Sequence, residues 1–369
     1  MVAIDQTFLA TLQANPHLRP RVGNPDEMRS NRMEKTLAAL KFRVTAPEPG
    51  MPEDLLGGVI TALNEEAVAC AALGNKGGIN LIVSYEAFAS KMHGALRQEI
   101  TFAHQCQLAG RPPRWLSVPV VLTSHTWENG KNEFSHQDPV MSEMMMNESS
   151  EASRVLFVPD ANTAAAALRA VYLTQGEIWT LVVPKSSEAP DLFTEAEAGQ
   201  LLEEGAALLD WAGYRIQESQ LLLTAIGAYQ LEQVLHASAR LTERRVPHTV
   251  LYMLEPGRFH GRTGKARRLW EFFYPPTVSA RIFVTHTRPE PLLGLLHTFN
   301  TGAEQTSALG FINRGGTLNT FGMLFVNKCT WAHILAEAAR LLYFGVDRLL
   351  SPEEIAALSG KTPPHALLV

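Results

Sequence analysis

The chain has few cysteines, and that scarcity excludes several classes of protein. Only three stand among 369 residues, at Cys70, Cys106 and Cys329, far apart in sequence. No CxxC or HExxH pattern indicates a zinc site. A sparse, odd number of cysteines suits a reducing compartment, so we expect a cytoplasmic protein whose thiols serve as small buried hydrophobes.

Charge is also scarce, and long apolar runs are missing. Charged residues make up 19% of the chain, the net charge is -5 and the pI is about 6.2. This balance gives no footprint for nucleic acid or an anionic membrane. No apolar run has the length of a spanning helix, and the start, MVAIDQTFLATLQANPHLRPR, lacks the features of a signal peptide. A low charged fraction instead suits a chain that buries surface against another subunit. The basic loop 258–268 (RFHGRTGKARR) has little aromatic interleaving, so we expect a solvated loop.

The hydrophobic residues that are present, 46% of the chain, suffice for two domains of ordinary size. From about residue 25, short apolar runs alternate with helical stretches, a pattern that predicts parallel sheets in an α/β fold. We expect an extended N-terminal arm over 1–24, a first domain over 25–212 and a smaller domain over 213–369. One Ala-rich helix is predicted over 55–73. The predicted strands are 79–84, 118–123, 155–158 and 179–183 in the first domain, and 220–226, 249–254, 280–285 and 321–327 in the second.

Five segments in a fixed order carry a resemblance to a known family. They are NPDEMRSNR (24–32), the segment 64–88 with a glutamate near a helix start and SYEAF at its end, TSHTWENGKNEFSHQD (123–138), VPDAN (158–162) and GFINRGGTLNTFGMLFVN (310–327). Each is similar to a segment of the phosphoketolases, and together they span about residues 25–345. The resemblance is to the middle and last domains of that three-domain family.

The resemblance implies a transketolase-like pyrimidine-binding domain followed by a transketolase C-terminal-like domain, each a three-layer α/β domain. The family's first domain binds the diphosphate and Mg²⁺, and we find no GDG…N element of that kind. The chain is therefore expected to be one subunit of a split thiamine diphosphate-dependent enzyme. It would cleave a ketose phosphate, or a related α-hydroxyketone, and transfer a two-carbon unit. A partner subunit would hold the Mg²⁺, in a dimer or heterotetramer, and we expect no metal ligand in this chain.

The resemblance assigns the activating acid to Glu65. Such an acid hydrogen-bonds the pyrimidine N1′ and must be neutral part of the time, so it should be buried. The alternative is that Glu65 and Glu66 form an ordinary solvated helix start, where acids suit the helix dipole. Tyr85 and Phe88 would form the apolar slot for the pyrimidine, or simply be core aromatics at helical spacing. Asn132 is a further expected cofactor-binding residue.

Acid–base chemistry is assigned to His125 and His136 by the same resemblance. Another histidine of the family is replaced here by Lys131, and a lysine is a poor proton shuttle near neutral pH. Two outcomes therefore stay open. Phosphoketolase-type chemistry dehydrates the intermediate and forms acetyl phosphate, whereas transketolase-type chemistry passes a glycolyl unit to an aldehyde.

Three residues match phosphate-binding positions of the family: Ser30, Arg32 and Lys185. A hydroxyl, a guanidinium and an ammonium form a suitable anion cradle. Lys185 follows an apolar strand, where α/β proteins bind ligands, although it could also be a plain surface charge. An alternative function is a non-catalytic paralogue that binds or regulates a full-length enzyme. Retention of the acid, the aromatic slot and the histidines argues against it.

Overall fold

The computed structural model describes residues 1–148, 151–185, 191–260, 274–275 and 277–368. The chain forms two compact units. The first comprises Met1–Glu128 and Ser135–Leu202, and the second comprises Asn129–Phe134 and the residues from Glu203 onward. The predicted domain boundary, between 212 and 213, lies later in the chain than this division. The sequence also did not indicate that the short segment 129–134 belongs to the second unit.

The first unit is built on an eight-stranded sheet with the order β3-β2-β4-β1-β5-β6-β8-β7, in which the described strand pairs are parallel. The chain places β2 to β4 on one side of β1 and then passes to β5 on its other side, so the strand order reverses between β1 and β5. Strands β1–β8 are Pro20–Gly23, Phe42–Arg43, Glu53–Asp54, Val59–Ile60, Ile79–Tyr85, Val118–Thr123, Ser153–Phe157 and Ile178–Val182. Helices α1–α8 are Val2–Ala14, Glu34–Leu40, Glu65–Leu73, Glu86–Ala89, His93–Leu108, Val140–Met146, Ala161–Val171 and Glu195–Glu204.

The central strands explain why the sheet forms. Strand β6 (VPVVLT) is buried along its whole length, and so is β5 (INLIVSY) up to Tyr85. Runs without polar alternation are typical of parallel strands that are covered on both faces. The predicted α/β class is therefore confirmed.

The N-terminal segment differs from the extended arm that we expected over 1–24. Residues Val2–Ala14 form helix α1, which packs against α2 and α7, and Pro20–Gly23 enter the sheet as β1. Ile4 and Phe8 are fully buried, four residues apart on one helix face. The prolines at positions 16 and 20 masked this helical period. Cys70 is exposed, so the expectation of three buried thiols was wrong there.

Helix α3 begins at Glu65, not at residue 55. The side chain of Asn64 caps it by accepting a hydrogen bond from the Ala67 N–H at 2.8 Å. The preceding pair Gly57–Gly58 lies outside helix, and glycine disfavours helix interiors. The cap places Glu65 at the first helical position.

The second unit is built on a five-stranded sheet with the order β13-β12-β10-β11-β9, parallel except that β9 runs antiparallel to β11. Strands β9–β13 are Ala206–Leu208, Leu221–Ile226, His248–Met253, Ala280–Thr285 and Thr306–Leu309. Helices α9–α13 are Ala228–Glu243, Pro289–Leu295, Thr320–Val326, Trp331–Leu341 and Pro352–Leu358. Across both units, short 3₁₀ helices occupy Ser90–Met92, Asp210–Ala212, Ile216–Glu218, Pro256–Phe259, His297–Phe299, Val346–Arg348 and Pro364–Leu367. A longer 3₁₀ stretch, Gly130–His136, is kinked at Glu133.

The strand predicted over 321–327 is wrong. Thr320–Val326 form helix α11, because the Asn319 side chain accepts the Gly322 N–H at 2.8 Å and starts a helix. A short apolar run does not by itself distinguish a strand from a helix. The larger part of the basic loop, residues 261–268, lies outside the described residues. Within the described ranges, no helix is both long and apolar enough to cross a bilayer.

Candidate active site

The predicted phosphate-binding residues Ser30 and Lys185 meet at the carboxyl edge of the first sheet. Ser30 follows β1, Tyr85 ends β5 and Lys185 follows β8. The Ser30 and Tyr85 hydroxyls are hydrogen-bonded at 2.7 Å, and the Lys185 ammonium donates to the Ser30 hydroxyl at 3.1 Å. The ammonium also lies 5.7 Å from the centre of the Tyr85 ring. This edge includes the reversal between β1 and β5, the position where open α/β sheets bind ligands.

The third predicted phosphate-binding residue, Arg32, is exposed and has a φ of 59°. It lies near enough to act on Lys185 electrostatically. Burial lowers the pKa of the Lys185 ammonium, and the charge of Arg32 lowers it further, while Glu128 opposes the shift. An anion placed between two such cations would relieve their repulsion.

The two aromatic residues predicted to line the pyrimidine, Tyr85 and Phe88, lie side by side, and a histidine packs against them. The ring centres of Tyr85 and Phe88 are 6.4 Å apart. The His136 ring packs edge-on to Phe88 at 4.6 Å and lies 6.0 Å from Tyr85. The Ser135 hydroxyl is 2.8 Å from Nδ1 of His136. An apolar face with an imidazole at its border thus lies beside the hydroxyl–ammonium cluster.

Glu65 is not a freely solvated helix start. Its side chain is only 12% exposed, whereas Glu66 is exposed. Both carboxylate oxygens of Glu65 lie 3.3 Å from the Lys91 ammonium, which is also 5.2 Å from the centre of the Phe88 ring. Glu65 is therefore connected to the aromatic slot through Lys91.

Asp26 is a residue of this site that the sequence reasoning missed. Its carboxylate accepts the Tyr85 N–H at 3.0 Å. Burial raises the pKa of Asp26, the charge of Glu65 raises it further, and the Tyr85 N–H opposes the shift. Its position within NPDEMRSNR was a signal that could have identified it. In the same segment Asn31 is fully buried, and its side-chain oxygen and nitrogen have no hydrogen-bond partner among the described residues.

His125 lies in the loop that follows β6, and hydrogen bonds to buried carboxylates hold this loop in place. It is 2% exposed, and its Nε2 is 4.0 Å from the Glu128 carboxylate, which accepts the Lys185 N–H at 2.9 Å. Glu86, fully buried, accepts both the N–H and the hydroxyl of Thr126 at 3.0 Å. Glu86, which is part of SYEAF, therefore anchors the His125 loop. The sequence pattern did not indicate this role.

Lys131 and Asn132 belong to the segment 129–134 that packs with the second unit. Both are exposed, and the Asn132 side-chain amide donates to the Asn129 side-chain oxygen at 2.9 Å. In the same segment Glu133 accepts the Thr317 hydroxyl at 2.7 Å. The catalytic and cofactor roles of Lys131 and Asn132 stay predictions. Among the described residues, no group of three or more His, Cys, Asp or Glu side chains could hold a metal ion.

Comparison with known proteins shows which family this chain is similar to. A family profile described as D-xylulose 5-phosphate/D-fructose 6-phosphate phosphoketolase matches residues 2–173. A probable phosphoketolase of Brucella abortus is 28% identical over an alignment of 339 residues that covers 88% of this chain. The chain is thus similar to the phosphoketolases. It spans 42% of the length of that phosphoketolase.

Solved structures agree on the fold. The transketolase of Leishmania mexicana matches with a TM-score of 0.71 at 15% identity, covering 94% of this chain and 45% of that one. A structure described as a split gene transketolase, inactive β4 tetramer, matches with a TM-score of 0.63 at 13% identity, covering 93% of this chain and 97% of that one. The predicted resemblance to phosphoketolases and the transketolase-like α/β fold are both confirmed.

Proposed function

We propose that this chain is the pyrimidine-binding and C-terminal half of a split thiamine diphosphate enzyme. It would cleave a ketose phosphate and transfer a two-carbon unit. The observation that carries the proposal is the convergence of the Ser30–Tyr85–Lys185 cluster, the Phe88–His136 pair and Glu65 at one sheet edge. The phosphoketolase and transketolase relatives belong to thiamine diphosphate-dependent families.

The residues fit the aminopyrimidine of the cofactor. When bound, thiamine diphosphate supplies the electron sink for breaking the bond next to a ketone carbonyl. Tyr85 and Phe88 would stack on the ring and exclude water, and Glu65 would hold a proton at the ring nitrogen N1′.

The remaining polar groups fit the substrate. Lys185 and Ser30, with Arg32, would bind its phosphate group. His125 and His136 would carry protons to and from its hydroxyls, since histidine titrates near neutral pH. Lys131, where the family has a histidine, keeps open whether the enzyme forms acetyl phosphate or transfers a glycolyl unit.

The diphosphate and Mg²⁺ would be held by a partner subunit, in a dimer or heterotetramer in the cytoplasm. One observation supports this. The part of this chain that matches the split gene transketolase corresponds to nearly all of that chain. One observation favours the alternative of a non-catalytic paralogue. Lys91 pairs with both oxygens of Glu65, so this carboxyl group already has a partner within the chain.

An assay with xylulose 5-phosphate and inorganic phosphate tests the proposal. The purified chain should be inactive alone and become active when a polypeptide that carries the GDG…N element is added. Acetyl phosphate as product would show phosphoketolase-type chemistry, and transfer to an added aldehyde would show transketolase-type chemistry. If the reconstituted pair forms neither product, the result supports the non-catalytic alternative.

A further inference from the structure

The second unit has a reversal of strand order of its own, at an edge that the proposed function does not use. The chain passes from β10 to β11 on one side, and then returns to β12 on the other side of β10. The order therefore reverses between β10 and β12. In open parallel sheets, the crevice outside the carboxyl ends at such a point is the preferred ligand position.

Three residues converge at this edge: Gly227, Gln230 and His286. Gly227 follows β10 with a φ of 111° and is the N-cap of helix α9. His286 follows β12, and its N–H donates to the Ile226 carbonyl at 2.8 Å. A methyl group on Gly227 would collide with the side-chain oxygen of Gln230 and lie 3.1 Å from Cβ of His286. Glycine is needed here because the Gln230 side chain folds back over the start of α9.

The Gln230 side chain is fully buried, yet its oxygen and its nitrogen both lack a hydrogen-bond partner among the described residues. Natural proteins satisfy most buried polar side-chain atoms, and exceptions are explained by a bound group, ordered water or strain. Gln233, one turn later on the same helix, shows the usual arrangement: it is buried and its oxygen accepts the Trp331 N–H at 3.0 Å.

The start of α9 adds a preference for negative charge. The helix is 16 residues long, and no side chain caps its first turn. The N–H groups and the dipole of such an end favour an anion. The Gln230 amide presents an NH₂ group, which donates, and an oxygen, which accepts. A carboxylate could satisfy only the donor, whereas a phosphate group that carries a proton satisfies both.

We propose that the start of helix α9, where Gly227, Gln230 and His286 meet, binds a phosphate group, and thus a phosphorylated metabolite or inorganic phosphate, separately from the proposed active site of the first unit. This site does not depend on thiamine diphosphate chemistry.

Thermal unfolding of the full chain tests the proposal. All measurements use a Lys185→Met background, so that the cluster in the first unit does not contribute. Inorganic phosphate and glucose 6-phosphate, added separately, distinguish the free ion from an ester, and sulfate, which carries no proton near neutral pH, should raise the Tm less. Gln230→Met should raise the Tm in phosphate-free buffer by about 2–6 °C, because it removes an unpaired buried amide, and should abolish the phosphate response.

Gln233→Met is the matched control. It should lower the Tm, because it leaves the Trp331 N–H unpaired, and it should keep the phosphate response. The proposal fails if phosphate does not raise the Tm of the parent, since Gln230 would then be satisfied by buried water. It also fails if Gln230→Met lowers the Tm or responds to phosphate like the parent. If that variant does not fold, ¹⁵N shifts of the Gln230 side-chain amide on adding phosphate to the parent give the same decision.

Discussion

The cap of helix α3 offers a sharp test of how the fold positions Glu65. Asn64→Ala removes the hydrogen bond from the Ala67 N–H, which is 2.8 Å long. Loss of an Asn cap costs about 0.5–2 kcal/mol. In a unit of this size the Tm should fall by roughly 2–4 °C for each kcal/mol. Asn319→Ala is the matched control, because Asn319 caps α11 of the second unit through an equal 2.8 Å bond to the Gly322 N–H.

The two variants should lose similar stability but differ in function. Glu65 is the first residue of α3, so fraying of that helix end displaces its carboxyl group. Displacement by about 1 Å can cost on the order of 100-fold in rate. We expect the reconstituted enzyme to lose about 10- to 100-fold in kcat with Asn64→Ala and to keep its kcat with Asn319→Ala, at a temperature where both variants are folded. Equal kcat values for both would refute the reasoning that the cap positions the catalytic acid.

Three further predictions concern charges of the first unit. Glu65→Gln should lower the kcat of the reconstituted enzyme by roughly 10²- to 10⁴-fold, and Glu66→Gln should not; near-normal turnover in the first variant would exclude Glu65 as the activating acid. Lys185→Met should raise the KM for the sugar phosphate by about 10- to 150-fold, because a charge-assisted hydrogen bond is lost. Lys41→Met is the control: it breaks an exposed ion pair elsewhere in the unit and should leave KM unchanged. Burial raises the pKa of Asp26 in the folded chain above its ordinary 3.8. Between 3.8 and the folded-state pKa, the folded state therefore retains a proton that the unfolded state has released. The free energy of unfolding consequently falls as the pH rises through this window. Asp26→Asn should therefore gain stability relative to the parent over that window in urea unfolding, and a parallel pH dependence of the two proteins would contradict the shift.

The sequence predicted the elements whose pattern is strong and local. The uniform apolar runs of β5 and β6 gave the central strands. The first helix was not predicted, because Ile4 and Phe8 are buried by packing against other helices and form only a short local pattern. Residues 321–327 failed as a strand because their state depends on the Asn319 cap, which an apolar run does not reveal.

The site was predictable only as far as the family motifs carried it. Four residues of the site lie in the matched segments: Ser30, Tyr85, Phe88 and His136. Lys185 lies outside those segments and was matched as a single position, and the structure brings it to the same place.

Other features of the site arise in three dimensions. Asp26 gains its role from burial and from the Tyr85 N–H, and Lys91 gains its role from reaching across to Glu65. Neither contact follows from sequence spacing, since both join residues on separate elements.

Cofactor binding tests the central claim most directly. Thiamine diphosphate with Mg²⁺ is titrated calorimetrically into the chain alone and into the chain mixed with the polypeptide that carries the GDG…N element. The account predicts weak, Mg²⁺-independent binding by the chain alone and tight, Mg²⁺-dependent binding by the pair, which Glu65→Gln weakens. Tight, Mg²⁺-dependent binding by the chain alone would contradict the claim that a partner supplies the diphosphate and metal site.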